Sequence, residues 1–233
     1  MQLESPIRII VFLLWPTLFS LRAFANCPVP EIKANGEFFK ASSVFTGTVL
    51  SQRYTEHEDD FGWHYRIRIL RVFKGPVLKD VAVYTEDASN RFPLETGRDY
   101  LLFAYRLHGR LEIDSCGNSA LLSKAATSVQ QIQSIATALD GEIEGWVAPE
   151  TNGVDLSAIH VTIHGGSQEY RALTDKDGYF HFRAPKGNYV VDFSNKEYYL
   201  NGDDEFWYSP KQFLLHAGES AALQMVSVRH PKK

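Results

Sequence analysis

The sequence predicts a mainly β protein made of two successive β modules with one helix between them. Three observations indicate this. Apolar and polar residues alternate with a period of two along several short segments. The spacing changes once, after Cys116, to steps of three and four, and turn residues then recur about every ten residues. A period of two is typical of half-buried strands, and steps of three and four are typical of an amphipathic helix.

The chain opens with an apolar run at residues 9–21. A bilayer span needs about 20 residues, so this shorter run is typical of a secretory signal, and Ala23-Phe24-Ala25 fits a cleavage site. We therefore expect residues 1–25 to be a signal peptide. The alternatives are a retained anchor and lipid attachment at Cys27, which needs a small residue where Asn26 stands.

The charge balance argues against nucleic-acid binding by the exported chain. The formal net charge of −4 becomes −5 without Glu4, Arg8 and Arg22, whereas phosphate binding needs clustered Lys and Arg. The two cysteines, Cys27 and Cys116, are expected to form one disulfide in an oxidising compartment, the alternative being two free buried thiols. The expected location is secreted or periplasmic, with no membrane span after signal cleavage.

Five strand segments are predicted in the first module. Residues 44–50 are β-branched and apolar, and residues 63–73 alternate strictly between apolar and polar side chains. Residues 81–84 and 111–113 are shorter segments of the same kind. Residues 100–105 form a continuous apolar run, which is consistent with a strand covered on both faces.

The helix is predicted at roughly 121–139. Its apolar residues recur at steps of three and four, the stretch lacks Gly and Pro, and Asp140-Gly141 supplies a C-terminal cap. This helix ends the first module, so the domains are predicted at 26–140 and 141–233. In the second domain short strand segments alternate with turns such as Asp175-Lys176-Asp177-Gly178, which predicts a small β-sandwich.

The first domain resembles the netrin/TIMP-like domains, named after the tissue inhibitors of metalloproteinases. The resemblance lies in five short pieces: Cys27, the phrase 44–49 (VFTGTV), the strand end 71–75 (RVFKG), the strand entry 97–103 (GRDYLLF) and 116–119 (CGNS) before a helix. It implies an OB-type five-stranded barrel with helices, in which the first cysteine is tied to the far end of the domain.

The second domain is similar to the carboxypeptidase regulatory-like, transthyretin-like sandwiches. The matching phrases are 174–182 (TDKDGYFHF) and 185–189 (PKGNY), which form the recurring hairpin of that family. Asp and Gly allow the tight turn, and the aromatic residues after it go to the core. Both resemblances imply non-catalytic accessory modules of exported proteins. The second also implies that the C-terminal domain is a small Ig-like/transthyretin-like β-sandwich.

No catalytic residue, cofactor or metal site is predicted. The sequence contains no H-E-x-x-H, no G-x-S-x-G and no phosphate loop. His160 and His164 share a strand face but lie roughly 13 Å apart, too far to bind one metal. Asp175-x-Asp177-Gly178 resembles a calcium loop, but Lys186 stands where that loop needs an oxygen ligand, so a turn is expected.

Two surfaces are predicted as candidate ligand contacts. An acidic cluster between the first two strands includes Glu56 and Asp59, in a connection where OB-type barrels often bind ligands, although a solvated hairpin tip is the simpler interpretation. The second surface is an aromatic stretch that could stack on a sugar or hold a peptide, or pack the sheet. Its residues are Tyr198, Tyr199, Phe206, Trp207 and Tyr208.

These features favour an exported, non-enzymatic binding or adaptor protein for a protein or cell-envelope component. A metalloprotease inhibitor of the TIMP kind is the first alternative, since the family's mature N-terminal cysteine binds the catalytic zinc. Here Asn26 would precede Cys27, and Val29 replaces the second cysteine of the family's C-x-C start, which argues against it. An envelope enzyme with a site between the domains is the other alternative.

Overall fold

The computed structural model describes residues 32–57, 60–87, 92–149, 155–193 and 212–228. The first part of the chain contains two helices and six strands: α1 Ala34–Lys40, β1 Ser43–His57, β2 Asp60–Lys74, β3 Asp80–Glu86, β4 Asp99–Leu107, β5 Arg110–Ile113, β6 Ala120–Leu121 and α2 Ala126–Ser134. Each of the five predicted strand segments of the first domain falls within one of β1–β5.

Five strands of the first sheet form a closed circuit of pairings. Their order is β1-β2-β3-β5-β4, and β4 pairs back with β1, where Ser43 lies opposite Ala104 and Thr48 opposite Asp99. β1 carries three register shifts along its pairing with β2. Such bulges bend and twist a strand, which allows β1 to pair on both of its edges.

The closed sheet has an apolar interior and a second apolar layer outside it. Inward side chains such as Phe45, Ile67 and Leu102 fill the interior. Outside, α1 and α2 cover Leu101 and Phe103. The run at 100–105 is continuous because β4 is buried on both faces, as the sequence predicted.

The helix predicted at 121–139 is shorter than expected. Ala120 and Leu121 pair with β4 as β6, and only Ala126–Ser134 is α-helical, flanked by 3₁₀ turns at Leu122–Lys124 and Ile135–Thr137. The hydroxyls of Ser134 and Thr137 donate to backbone carbonyls three residues earlier. Such bonds compete with the regular α-helical ladder, which explains the tightening at the C-terminal end.

Helix α1 was not predicted, because ANGEFFK contains Asn and Gly and has weak helix propensity. Tertiary contacts hold it instead. Ala34 is buried, and its N–H donates to Gln131 Oε1 at 3.1 Å. At the other end, Lys74 Nζ donates to the carbonyls of Phe38 and Phe39 at 2.8 and 3.0 Å. These bonds satisfy carbonyls that a helix C-terminus leaves unpaired.

Glu37 of α1 is buried against the closed sheet. Its side chain, in a residue only 1% exposed, accepts hydrogen bonds from Tyr105 Oη at 2.9 Å and from Asn118 N and Nδ2 at 2.5 and 2.7 Å. Burial raises the pKa of Glu37, and these donors only partly offset that effect. A Cβ on Gly117 would lie 2.4 Å from Glu37 Oε1, so a side chain at this position would displace the carboxylate from its present place.

The second part of the chain forms two sheets that share one core. Its strands are β7 Asp140–Pro149, β8 His160–Gly165, β9 Gln168–Leu173, β10 Tyr179–Pro185, β11 Gly187–Phe193, β12 Gln212–Leu215 and β13 Ser220–Val228. One sheet has the order β10-β7-β13, with β7 and β13 parallel, and the other β12-β11-β8-β9. Ile143 and Phe180 of the first sheet pack with Val161 and Ile163 of the second. This is β-sandwich packing.

Helix α1 also contacts the sandwich. Asn35 Nδ2 donates to the carbonyl of Gly218 at 2.9 Å, and the ring of Phe39 stacks on His216 with centroids 4.5 Å apart. A Cβ on Gly36 would lie 2.1 Å from the carbonyl oxygen of Ser220. The helix therefore joins the closed sheet to β13. Within the described residues, no helix is long and apolar enough to cross a bilayer.

Candidate functional site

The outward face of the sheet formed by β10, β7 and β13 carries polar and aromatic side chains. Along β7, Ile143 and Val147 point into the core, so Glu142, Glu144 and Trp146 share the opposite face. β10 alternates in the same way, and its Tyr179 lies directly opposite Trp146. Strand register thus places acids and aromatic rings side by side.

Glu144 is the centre of this surface and is only 2% exposed. Its Oε1 accepts a hydrogen bond from Ser220 Oγ at 2.9 Å, and its Oε2 accepts one from Tyr179 Oη at 3.2 Å. Burial raises the pKa of Tyr179, and the charge of Glu144 raises it further. A carboxylate so far out of water needs compensation by hydrogen bonds and an opposite charge.

Lys33, just before α1, supplies that opposite charge. Its Nζ lies 2.9 Å from Glu144 Oε2 and 3.2 Å from Glu142 Oε2. Burial alone lowers the pKa of Lys33, but its bonds to the two carboxylates outweigh burial, and the net pKa is raised. Lys33 belongs to the part of the chain before the closed sheet, so both parts of the molecule build this site.

The turn between β9 and β10 forms the rim, and the predicted turn at 175–178 is confirmed. Asp175 Oδ1 accepts hydrogen bonds from the N–H groups of Asp177 and Tyr179, both at 2.9 Å. Gly178 has a φ of 76°, which favours glycine. Asp175 thus fixes the turn, and Asp177 is left exposed beside the aromatic rings.

Together these groups line a cleft of about 440 Å³: Lys33, Glu144, Trp146, Asp175, Asp177 and Tyr179. The rings of Trp146 and Tyr179 lie 4.7 Å apart with a tilt of 54° and form one wall. The lining holds three carboxylates against one ammonium, so the cleft is acidic. An aromatic wall beside excess negative charge is suited to a cationic group. Within the described residues, no group of His, Cys, Asp and Glu is arranged to hold a metal ion.

The structure brings together few of the residues that the sequence singled out. Glu56 is exposed near the end of β1, opposite Phe61 of β2, and does not line the acidic cleft. The candidates Asp59, Tyr198, Tyr199, Phe206, Trp207 and Tyr208 lie outside the described residues. Their predicted contact roles stay predictions.

Cys116 is disulfide-bonded, and the described residues include no free cysteine. Cys27, the other cysteine of the chain, lies outside the described residues. The Cys27–Cys116 pairing therefore stays a prediction.

Four residues of the cleft were not predicted from the sequence: Lys33, Glu144, Trp146 and Tyr179. A signal did exist for β7. Residues 141–147 alternate, and the positions on the outward face hold the acids Glu142 and Glu144 and the aromatic residue Trp146. No local signal exists for Lys33, because 109 residues separate it from Glu142.

Aromatic residues also gather at the end of the β1–β2 hairpin, where Tyr54 packs on Phe61 and Trp63.

Comparison with protein-family models finds no match, and comparison with curated protein sequences finds none either. Among solved structures, the chain is similar to a DUF3823 family protein from Parabacteroides merdae, with 11% identity and a TM-score of 0.28 over 40% of this chain and 47% of that one. The Bacillus anthracis TIE protein is similar at 14% identity and a TM-score of 0.27, over 82% of this chain and 31% of that one.

A third similar structure is that of GBS52, the minor pilin of Streptococcus agalactiae. It shares 9% identity and a TM-score of 0.27, over 83% of this chain and 86% of the pilin. The chain covers less than half the length of the DUF3823 structure and of the TIE structure, at 47% and 31%. These likenesses are too slight to assign a function.

Proposed function

We propose that the protein is an exported, non-enzymatic binding or adaptor protein whose acidic cleft holds a Lys or Arg side chain of a partner protein. The observation that carries this proposal is the cleft itself. Glu144 is buried at its floor, Trp146 and Tyr179 form a wall, and Asp177 is exposed at the rim. A cation beside an aromatic face and a carboxylate gains from both, by about 0.5–2 kcal/mol from the ring alone.

The proposed architecture is a netrin/TIMP-like OB-type barrel followed by a carboxypeptidase regulatory-like sandwich. The pairing circuit β1-β2-β3-β5-β4-β1, with β3 and β5 parallel, supports the first part. The two sheets that pack on one core, joined through a tight turn at Asp175–Gly178, support the second. Both are module types that present a binding surface on a stable scaffold.

Calorimetric titration with matched peptides tests the proposed ligand. A short Gly/Ser peptide with one arginine is compared with the same peptide containing citrulline, which is neutral and nearly isosteric. We expect saturable binding of the arginine peptide only. Asp177→Asn should weaken it two- to fivefold, as expected for a rim charge. Asp155→Asn, a change of another exposed aspartate in the sandwich, should leave the affinity unchanged.

Equal binding of the two peptides would contradict the proposal, as would saturable binding of neutral oligosaccharides alone. Either result would mean that the cleft does not select its ligand by positive charge.

Export is proposed on the N-terminal apolar run, the A-x-A site and the bonded state of Cys116. Protein purified from its host should begin at Asn26, and its mass should show a disulfide between Cys27 and Cys116. An uncut leader or two free thiols would contradict this part. The alternatives, an inhibitor of the TIMP kind and an envelope enzyme, stay predictions from the sequence, since Asn26 and Cys27 lie outside the described residues.

A further inference from the structure

A second cavity lies at the end of the closed sheet where the β2–β3 and β4–β5 connections meet. It has a volume of about 330 Å³. Apolar residues from four strands and one connection line it, and of these Ile69, Leu78 and Val81 are partly exposed while the other two are buried: Phe45, Ile69, Leu78, Val81 and Leu111. Leu78, on the β2–β3 connection, is 48% exposed. A half-exposed leucine at a cavity of this size is suited to contact with an apolar ligand.

Three cations share this cavity: Lys74, Arg106 and Arg110. The residues that line it include no carboxylate. Arg110 is engaged, because its Nε donates to Glu112 Oε1 at 2.9 Å and its guanidinium lies over the ring of Tyr84. Lys74 is engaged as well, since its Nζ donates to two carbonyls of α1 and lies over the ring of Phe38. The positive charge most available to a ligand is therefore that of Arg106.

Lys74 and Arg106 retain donors that a ligand could use. The Lys74 ammonium carries three N–H groups, and two of them donate hydrogen bonds to the carbonyls of Phe38 and Phe39. Arg106 is exposed, and within the described residues no carbonyl or carboxylate bonds its guanidinium. A guanidinium presents a planar set of donors that matches a carboxylate or phosphate.

We propose that this cavity binds a single anionic amphiphile, with its apolar chain against Ile69, Leu78 and Val81 and its head group bound by Arg106 beside Lys74. Burial of the chain supplies the larger part of the affinity, at roughly 25 cal/mol per Å² of apolar surface removed from water. The cations select the sign of the head group. This site is separate from the acidic cleft, which selects the opposite charge.

Calorimetric titration of the disulfide-intact chain with dodecanoate, kept below its micelle concentration, tests the proposal. We expect saturable binding with one site per chain. Dodecyltrimethylammonium, which has the same chain and the opposite charge, should not bind, and hexanoate should bind at least tenfold more weakly because it buries less apolar surface.

Two variants locate the site. Arg106→Gln should weaken dodecanoate binding about tenfold, the loss expected for a hydrogen bond to a charged group. Leu78→Asp should abolish measurable binding, since it places a negative charge at the mouth. Arg53→Gln and Leu214→Asp are the matched controls, because these residues are also exposed but do not line the cavity, and they should leave the affinity unchanged.

The proposal would be overturned by no saturation with dodecanoate, by equal binding of the cationic amphiphile, or by unchanged affinity in both Arg106→Gln and Leu78→Asp. Binding that occurs only with anionic vesicles or with acidic peptides, and not with monomeric dodecanoate, would also contradict it.

Discussion

Two buried carboxylates, Glu37 and Glu144, have opposite surroundings. Both are almost fully buried, at 1% and 2% exposed. Glu37 accepts hydrogen bonds from neutral donors of Tyr105 and Asn118. Glu144 has a cation, Lys33, 2.9 Å away. A buried carboxylate held only by neutral donors is suited to fixing the fold. A carboxylate paired with a cation on the floor of an open cleft can also set the charge of a binding site.

The largest expected effect is on the Glu37 side of this comparison. Glu37→Ala should lower the free energy of unfolding by about 3 kcal/mol, because it leaves buried donors of Tyr105 and Asn118 without an acceptor. Glu37→Gln keeps one oxygen and should cost about 1 kcal/mol. Urea unfolding measures both. A loss for Glu37→Ala no greater than that for Glu37→Gln would show that the carboxylate does not organise this region.

The next effect concerns α1, which carries Glu37 and directly follows Lys33, the partner of Glu144. Gly36→Ala should destabilise the chain by about 2 kcal/mol, although alanine favours helices, because the new Cβ would meet the carbonyl of Ser220. Gly187→Ala is the matched control. The nearest atom to its Cβ would be 3.7 Å away, so thermal unfolding should change little. Equal stability of the two variants would mean that α1 does not rest on β13.

The third effect is on the Glu144 side and concerns binding. Trp146→Ala should weaken the arginine peptide about tenfold, or 1.4 kcal/mol, by removal of the aromatic wall. Phe61→Ala is the control, because Phe61 is aromatic and 48% exposed but lies at the β1–β2 hairpin, away from the residues that line the cleft. Similar losses in both variants would place the peptide site elsewhere.

The smallest effect is the pH dependence that Glu37 contributes. Its pKa in the folded protein is raised from 4.5, chiefly by burial. The stability it contributes is therefore fully present below the unfolded-state pKa and is lost as pH rises through the folded-state pKa. The unfolding free energy of wild type relative to Glu37→Gln should fall as pH rises from 4 toward neutral. A relative increase over that range would mean that the folded-state pKa is lowered.

Strand positions could be predicted from the sequence because a half-buried strand leaves its alternation in the residues themselves. Residues 63–73 show this, and they lie within β2. α1 could not be predicted, since the contacts that stabilise it come from Gln131 and Lys74, far along the chain. The helix at 121–139 was overpredicted because the periodicity does not reveal that Leu121 pairs with Tyr100.

The candidate site was less predictable than the fold. Trp146 and Tyr179 face each other through strand register, and Lys33 meets Glu144 through the docking of α1, so no local pattern marks the set. Aromatic residues next to acids in the sequence, at 198–208, favoured a different surface that lies outside the described residues.

The most direct test of the central claim, that the acidic cleft is the partner site, is an NMR titration of isotope-labelled protein with the arginine peptide. We expect saturating shifts in the signals of Trp146, Asp177 and Tyr179, with no change on addition of the citrulline peptide. Shifts confined to the β1–β2 hairpin around Glu56 and Phe61, or no shifts at all, would contradict it.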